Sequence, residues 1–381
     1  APQGVRVREE SSPFRERLHT TPAYPSPQSS TFIVMALAIA SLLWYASFLF
    51  SWNHIGHPVA YGLLVIAEII GMSQLLGAWI TILVPAQQPT IPEIDRLRQQ
   101  LLKDQYVPSI AVFIPVAGES LELIRQTVTA ARAMEVRHRT IILDDAASAA
   151  VRSLTMELDV EYISRPARDG QKAGNINYGL QEIRTDFFVV FDSDHEPKPD
   201  FLVQTLPYLL ADEKMAFVQT PQFFGNREHF VSGGTAEAQE VFYRYVQPGK
   251  NLFSAAFCVG TNVIFRREAI DDVGGLYTAS NSEDVWTSLL LHERGWRSFF
   301  LPTVLAVGQA PERLDSYFRQ QFRWARGGME IFFKRNPLFS QLTTDQKLQY
   351  LHTTTHYFTG FSVLIFFLLP LSLTCARSCL F

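Results

Sequence analysis

Apolar residues gather near the two ends of this chain, and short apolar runs alternate with amphipathic ones between them. Thr31 to Phe50 is twenty residues without a charge. Val59 to Val84 is a second such stretch, and its one acid is Glu68. Each is long enough to cross a bilayer core of about 30 Å. A third run covers Tyr357 to Ala376, with Pro370 inside it. Trp44, Tyr45, Trp52 and Trp79 suit the membrane–water interface. Core helices of a soluble protein are the alternative reading, but uncharged runs of this length favour spans. The first run starts far from residue 1, lacks a compact basic head and is followed at once by a second span. It therefore reads as a span and not as a signal peptide.

Between about residues 108 and 310 the period changes. Ile110-Ala-Val-Phe-Ile-Pro is a short β-rich run, and a helical pattern follows from Leu121 to Met134. Arg139-Thr-Ile-Ile-Leu is a second strand and ends in Asp144-Asp145. Val160-Glu-Tyr-Ile is a third. Phe187-Phe-Val-Val-Phe is a fourth and ends in Asp192-Ser193-Asp194. Met215-Ala-Phe-Val-Gln is a fifth. This alternation predicts an α/β unit with a mostly parallel sheet covered by helices. Ligands in such sheets sit outside the carboxyl ends of the strands, where both Asp clusters fall. Further on, Phe318, Phe322, Ala325, Met329 and Phe332 recur at helical spacing and form one apolar face. Arg319, Arg323 and Arg326 flank it, as on a helix lying on a membrane surface.

Composition narrows the class. The 381 residues are 47% hydrophobic and 18% charged, with 29 Phe, which excludes a disordered chain. Three Cys exclude a disulfide scaffold, and a net charge of −4 argues against nucleic acid as a partner. Arg6, Arg8, Arg15 and Arg17 precede the first run, and Arg96, Arg98 and Lys103 follow the second. The turn between the runs holds no Lys or Arg. By the positive-inside rule, the N-terminus and the long middle segment face the cytoplasm. Residues 1–30 read as a flexible tail rich in Ser, Pro and Thr.

The candidate chemistry lies in the polar clusters. Asp192 and Asp194 offer hard oxygen ligands suited to Mg2+ or Mn2+ shared with a diphosphate. His195 is a further ligand or a turn residue. Asp144-Asp145 is a helix cap or a grip on a nucleotide. Lys172, in Asp169-Gly-Gln-Lys-Ala-Gly-Asn175, neutralises phosphate or is an exposed surface lysine. Ser282-Glu283-Asp284 opens a helix, where the acids cap it or supply a general base. Gln320 and Trp324 lie one turn apart and away from the apolar face. An indole in that place anchors the helix or covers a sugar ring.

An aspartate pair, then Asp-x-Asp, then Glu-Asp, then Gln320-Gln-Phe-Arg323-Trp324, in this order, resembles the processive family-2 glycosyltransferases, above all bacterial cellulose synthase catalytic subunits. The likeness extends over about residues 30–376. It includes Asp169-Gly-Gln-Lys-Ala-Gly-Asn, Val218-Gln-Thr-Pro-Gln-Phe-Phe and Phe257-Cys-Val-Gly-Thr-Asn.

The resemblance implies a GT-A domain flanked by transmembrane helices. It divides the chain into a tail at 1–30, two spans within 31–84, a cytoplasmic catalytic domain at 85–310, an interface-helix region at 311–350 and a C-terminal span at 351–381. Asp144, Asp145, Lys172, Asp192 and Glu283 are implied on the donor side, and Asp192, Asp194 and His195 at a Mg2+ or Mn2+. Asp284 is implied as the base, with Gln320, Arg323 and Trp324 beside it. Phe257, Cys258, Gly260 and Thr261, together with Trp324, are implied on the acceptor side.

The implied activity is inverting transfer of glucose from UDP-glucose to a growing β-glucan at the inner or plasma membrane, with possible accessory subunits. Alternatives are a chitin- or hyaluronan-type synthase using UDP-N-acetylglucosamine, a non-processive lipid-directed transferase, and a non-catalytic scaffold. Ala146 and Ser282 stand where the family has Gly and Thr, and the loop at Phe257 departs from Phe-Phe-Cys-Gly-Ser, which weakens the case for cellulose itself. The chain ends at Phe381, before the further helices and gating loop of such enzymes, so a truncated chain is expected.

Overall fold

The computed structural model describes residues 29–51, 57–83, 92–103 and 107–378. Most of the expected N-terminal tail, its arginines and Trp52 lie outside the described residues.

Helices α1 (Ser29–Leu49) and α2 (Pro58–Leu83) contain the first two apolar runs. Leu43, Trp44 and Val59 are exposed on them. Helices that are apolar all round and largely uncovered by protein are suited to lipid. After α3 (Pro92–Leu102), the chain runs through β1 (Ile110–Val116), α4 (Leu121–Arg132), β2 (Arg139–Asp144), α5 (Ala149–Glu157), β3 (Glu161–Ile163), α6 (Gln171–Glu182) and β4 (Phe187–Val190). Next come β5 (Glu196–Pro197), α7 (Phe201–Ala211), β6 (Met215–Gln219), β7 (Phe223–Phe224), α8 (Phe230–Val241) and α9 (Gln247–Lys250). Then follow β8 (Val263–Arg266), α10 (Arg267–Asp272), α11 (Glu283–Glu293), β9 (Arg297–Phe300) and β10 (Ala306–Gly308). The chain finishes with α12 (Leu314–Lys334), α13 (Thr344–Thr355) and α14 (Thr359–Ser378).

The main sheet has the order β3-β2-β1-β4-β8-β6-β9. All neighbours are parallel except β8, which runs against both β4 and β6. Its central strands are buried on both faces because helices cover both. Val112, Ile142 and Val189 pack with α4, α5 and α7 on one side. Phe113, Ile141 and Phe188 pack with α6 and α10 on the other. Phe rings run across the central strands, from Phe113 to Phe188 (5.8 Å) to Phe265 (5.1 Å) to Phe217 (5.6 Å). Strand order reverses at β1, which pairs with β2 on one side and β4 on the other. A crevice forms at such a reversal. A second sheet has the order β5-β10-β7, and its β5 follows β4 in the chain.

Helix α12 is long and amphipathic. Phe318, Phe322 and Phe333 are exposed along one face, while Gly327 and Ile331 are buried on the other. The spans are joined by polar contacts. Gln74 donates to Thr355 Oγ1 at 2.7 Å, and Ser362 donates to the Ala67 carbonyl at 2.9 Å. Lys250 of α9 is buried and donates to Gln349 Oε1 and Thr353 Oγ1 of α13, both at 3.0 Å. That contact ties the α/β unit to the helix leading into the third apolar run.

Candidate active site

Two cavities meet at the carboxyl ends of β1, β2 and β4, and both are lined by Lys172, Asp192 and Asp194. The larger, about 530 Å³, lies at the strand-order reversal. Asp145, Arg168 and Asn175 line it, with Pro115 to Ala117 at the end of β1. Asp145 is gripped by Arg165 through both oxygens, at 2.6 and 2.9 Å. The same guanidinium donates to the carbonyls of Asp169 (2.5 Å) and Gln171 (2.9 Å), so one cation ties the end of β2 to the start of α6.

Asp144, expected beside Asp145 on the donor side, does not reach this cavity. Its carboxylate is buried and accepts from the backbone of Ala146 and Ser148 and from the Tyr162 hydroxyl. It belongs to the ladder of β2, so its side chain turns to the opposite side from that of its neighbour.

The smaller cavity, about 270 Å³, adds the second carboxylate pair. Glu283 and Asp284 enter it from the start of α11, and Gln320, Arg323 and Trp324 enter from α12. Burial, with the Glu283 carboxylate beside it, pushes the Asp284 carboxyl up to about 7. Burial also raises Glu283 against the pull of Lys172 and Arg323. Lys172 resists its own burial because Asp192 and Glu283 favour the charge, which leaves its ammonium above the ordinary range. It pairs with Asp192 and donates to the Gly260 carbonyl at 2.7 Å. Gln320 Oε1 is buried with no hydrogen-bond partner, so an acceptor is left free at the wall of the cavity.

The donor atoms of Asp192, Asp194 and His195 lie within 4.8 Å of one another. Two carboxylates and an imidazole fit a divalent cation. His195 is buried, its Nδ1 is 2.7 Å from Asp194 Oδ1, and its Nε2 has no partner. Burial acts upward on the Asp194 carboxyl, but His195 and Lys172 outweigh it and hold it below the usual range.

The loop expected on the acceptor side is only partly at the cavity. Gly260 lines it and so does Val259 of the same Phe257–Thr261 motif. Phe257, Cys258 and Thr261 stand behind. Phe257 and Cys258 are buried, held by Gln247 and Ser288. Burial raises the Cys258 thiol well above its ordinary range, so it stays protonated. Thr261 Oγ1 accepts from the Asp192 backbone N–H at 2.9 Å and so braces the end of β4. Among the remaining lining residues, Gln222 and Phe224 fall in the Val218–Phe224 motif. Arg165, Asn281 and Gln309 carried no signal in the sequence.

Residues 108–327 match the family described as "Glycosyltransferase like family 2". Cellulose synthase 1 of Komagataeibacter xylinus is 31% identical over 360 residues, 91% of this chain and 23% of that protein. The cellulose synthase catalytic subunit [UDP-forming] of Pseudomonas fluorescens is 34% identical over 274 residues, 70% of this chain and 37% of that protein. The chain thus spans well under half the length of these two curated relatives. A mannosyltransferase from Pyrobaculum calidifontis, solved with GDP-Man and Mn2+, superposes with a TM-score of 0.60 at 17% identity. That likeness covers 83% of this chain and 87% of the mannosyltransferase, and it extends to the fold, a GT-A α/β domain. The matched residues run from Pro108, just before β1, to Gly327 of α12 and take in both cavities; the chain belongs to glycosyltransferase family 2.

Proposed function

We propose that this chain is the catalytic part of a membrane-bound inverting processive hexosyltransferase that moves glucose from UDP-glucose to a growing β-glucan. The carrying observation is that Asp284, held up to about 7, faces the cavity that also holds Lys172, Asp192 and Asp194. A proton acceptor and the groups suited to a diphosphate therefore share one space. The uridine diphosphate lies in the larger cavity, with Asp145 and Asn175 toward the nucleoside and Lys172 toward the phosphates. Trp324 packs against the terminal sugar of the acceptor, and Gln320 Oε1 takes one of its hydroxyls.

Asp284 removes the proton of the acceptor hydroxyl as that oxygen bonds to the anomeric carbon. The bond from that carbon to the diphosphate oxygen breaks, UDP leaves, and the configuration inverts. Lys172 and Arg323 place positive charge where negative charge develops. A divalent ion held by Asp192, Asp194 and His195 supplies further charge for the leaving diphosphate when bound.

The three apolar helices and the distribution of Lys and Arg support a multi-pass protein with the α/β unit in the cytoplasm. A Ser51→Cys variant is then labelled from outside intact cells, and Gln341→Cys is protected; the reverse pattern refutes this topology. The activity is tested by incubating membranes with labelled UDP-glucose or UDP-N-acetylglucosamine, followed by linkage and length analysis. A β-linked glucose polymer is expected. A single added sugar, or incorporation from UDP-N-acetylglucosamine alone, overturns the processive glucan reading.

A further inference from the structure

The loop that ends in Asp284 rests on α12, the helix that brings in Gln320, Arg323 and Trp324. Gly327 is where the two meet. A Cβ at this position would lie 1.7 Å from Ser282 Oγ and 2.3 Å from Ser282 Cβ, far inside van der Waals contact. One turn later, Glu330 Oε2 accepts from Ser280 Oγ at 2.9 Å, and Glu330 Oε1 accepts from Lys334 at 2.6 Å. Ser280 Oγ in turn accepts from the Ser282 backbone N–H at 3.3 Å. Beneath them, Ile331 is buried against Trp286 and Leu289 of α11. Shape, hydrogen bond and apolar contact thus come from consecutive inward positions of one helix. Neither Gly327, Glu330 nor Ser280 lines the cavity.

Resting on the transferase reading above, we propose that Gly327 and Glu330 are positioning residues that seat the Ser280–Asp284 loop on α12 and so set the distance between the base and the acceptor-holding Trp324. Only the absence of a side chain at Gly327 lets the loop come this close. Glu330 then fixes its register along the helix. Because α12 also presents Phe318, Phe322 and Phe333 outward, the base is placed by the element that lies against the membrane, not by the main sheet alone. Lifting the loop also opens Asp284 to water, and burial is the first cause of its raised proton affinity.

The test uses the chain in native membranes, with transfer, UDP affinity and the pH profile of kcat measured for each variant. Gly327→Ala should lower kcat by about 10²-fold, the scale of an ångström-sized misplacement. KM for the donor and UDP affinity should stay unchanged, because the larger cavity is untouched. The acid limb of kcat should move to lower pH. Ser282→Gly removes the atoms that the new methyl meets, and Ser282 makes no side-chain cap to α11. The pair Gly327→Ala with Ser282→Gly should therefore regain most of the rate. Glu330→Ala should lower kcat, and Glu330→Gln, which keeps an acceptor for Ser280, should restore it in large part. Normal kcat with an unmoved acid limb in Gly327→Ala overturns the proposal, as does a loss that Ser282→Gly fails to relieve. Asp284→Asn run alongside separates the two readings. Full turnover in that variant removes the base assignment, whereas its loss beside a normal Gly327→Ala removes the seat alone.

Discussion

Gly308→Ala should damage the candidate metal-ligand cluster of Asp192, Asp194 and His195 from the second sheet. Gly308 ends β10, the central strand of that sheet, and pairs with Phe224 of β7. Its carbonyl accepts from the Gly225 N–H at 3.0 Å, and Val307 before it is paired on both sides. A Cβ there would sit 2.3 Å from His195 Nε2, 2.5 Å from Cε1 and 2.7 Å from Cδ2. Carbon contacts prefer about 3.5–4.0 Å, so the ring must move by roughly an ångström. The ring is buried, bonded through Nδ1 to Asp194 and set edge-on to Phe224 at 6.3 Å. It has no free direction. Overpacking of this kind costs about 1–3 kcal/mol, and each kcal/mol lowers Tm by about 2–4 °C in a domain of this class. If the displaced ring takes Asp194 with it, Mn2+-dependent UDP affinity falls by about tenfold for each 1.4 kcal/mol. Thermal unfolding and calorimetric UDP titration with and without Mn2+ measure both effects. Adding His195→Ala should restore Tm while leaving the metal-dependent affinity low, which separates packing from ligation. Gly234→Ala is the control: nothing lies within 4 Å of its Cβ, and helix propensity favours it by about 1 kcal/mol. Unchanged Tm and unchanged Mn2+ dependence in Gly308→Ala would refute the wedge and His195's place in the cluster.

Asp284→Asn should keep UDP affinity and lose transfer by about 10²–10⁴-fold. In the unaltered enzyme kcat/KM should rise with pH through about 7 as the carboxylate forms, and a limb that persists in Asp284→Asn would assign it to another group. Trp324→Ala should leave UDP affinity and membrane association intact and abolish elongation in product-length assays; release from the membrane would make it an anchor. Lys250 is buried with its ammonium pulled down to about 7, while an unfolded lysine keeps its proton to about 10.4. The unfolded chain therefore binds more protons between these values, and this group makes stability rise with pH across that window. Denaturation of Lys250→Met should lack that rise, and an unaltered pH slope in the variant would exclude Lys250 as its source.

The strands rich in Ile, Val and Phe were legible because each is buried on both faces, so β1, β2, β4 and β6 read as unbroken apolar runs. Strands β8 (Val263–Arg266) and β9 (Arg297–Phe300) each spend a position on Arg and keep only two or three apolar residues, so only the finished sheet defines them. The reversal of β8 is set by the long return through α8 and α9, which no local pattern announces. The two faces of α12 were legible from helical spacing, since Trp324 lies in the cavity while Phe318 and Phe322 are exposed. Asp144 and Asp145 could not be told apart, because identical neighbours differ only in which side of the strand they face.

Lys172 marks where local reading stops. From its Gly-containing loop it reads as a phosphate cation or as an exposed surface lysine. In the fold it also donates to the Gly260 carbonyl, 88 positions away in the chain, while pairing with Asp192. Gly260 has a φ of 84°, and a Cβ there would stand 3.6 Å from Asp284 Oδ2. One ammonium thus holds the Phe257–Thr261 loop against the end of β4 and favours the charged form of Asp194, Glu283 and Asp284. Removing it should perturb donor affinity and the proton affinity of Asp284 together. A cation that met only phosphate would change the first and leave the second alone.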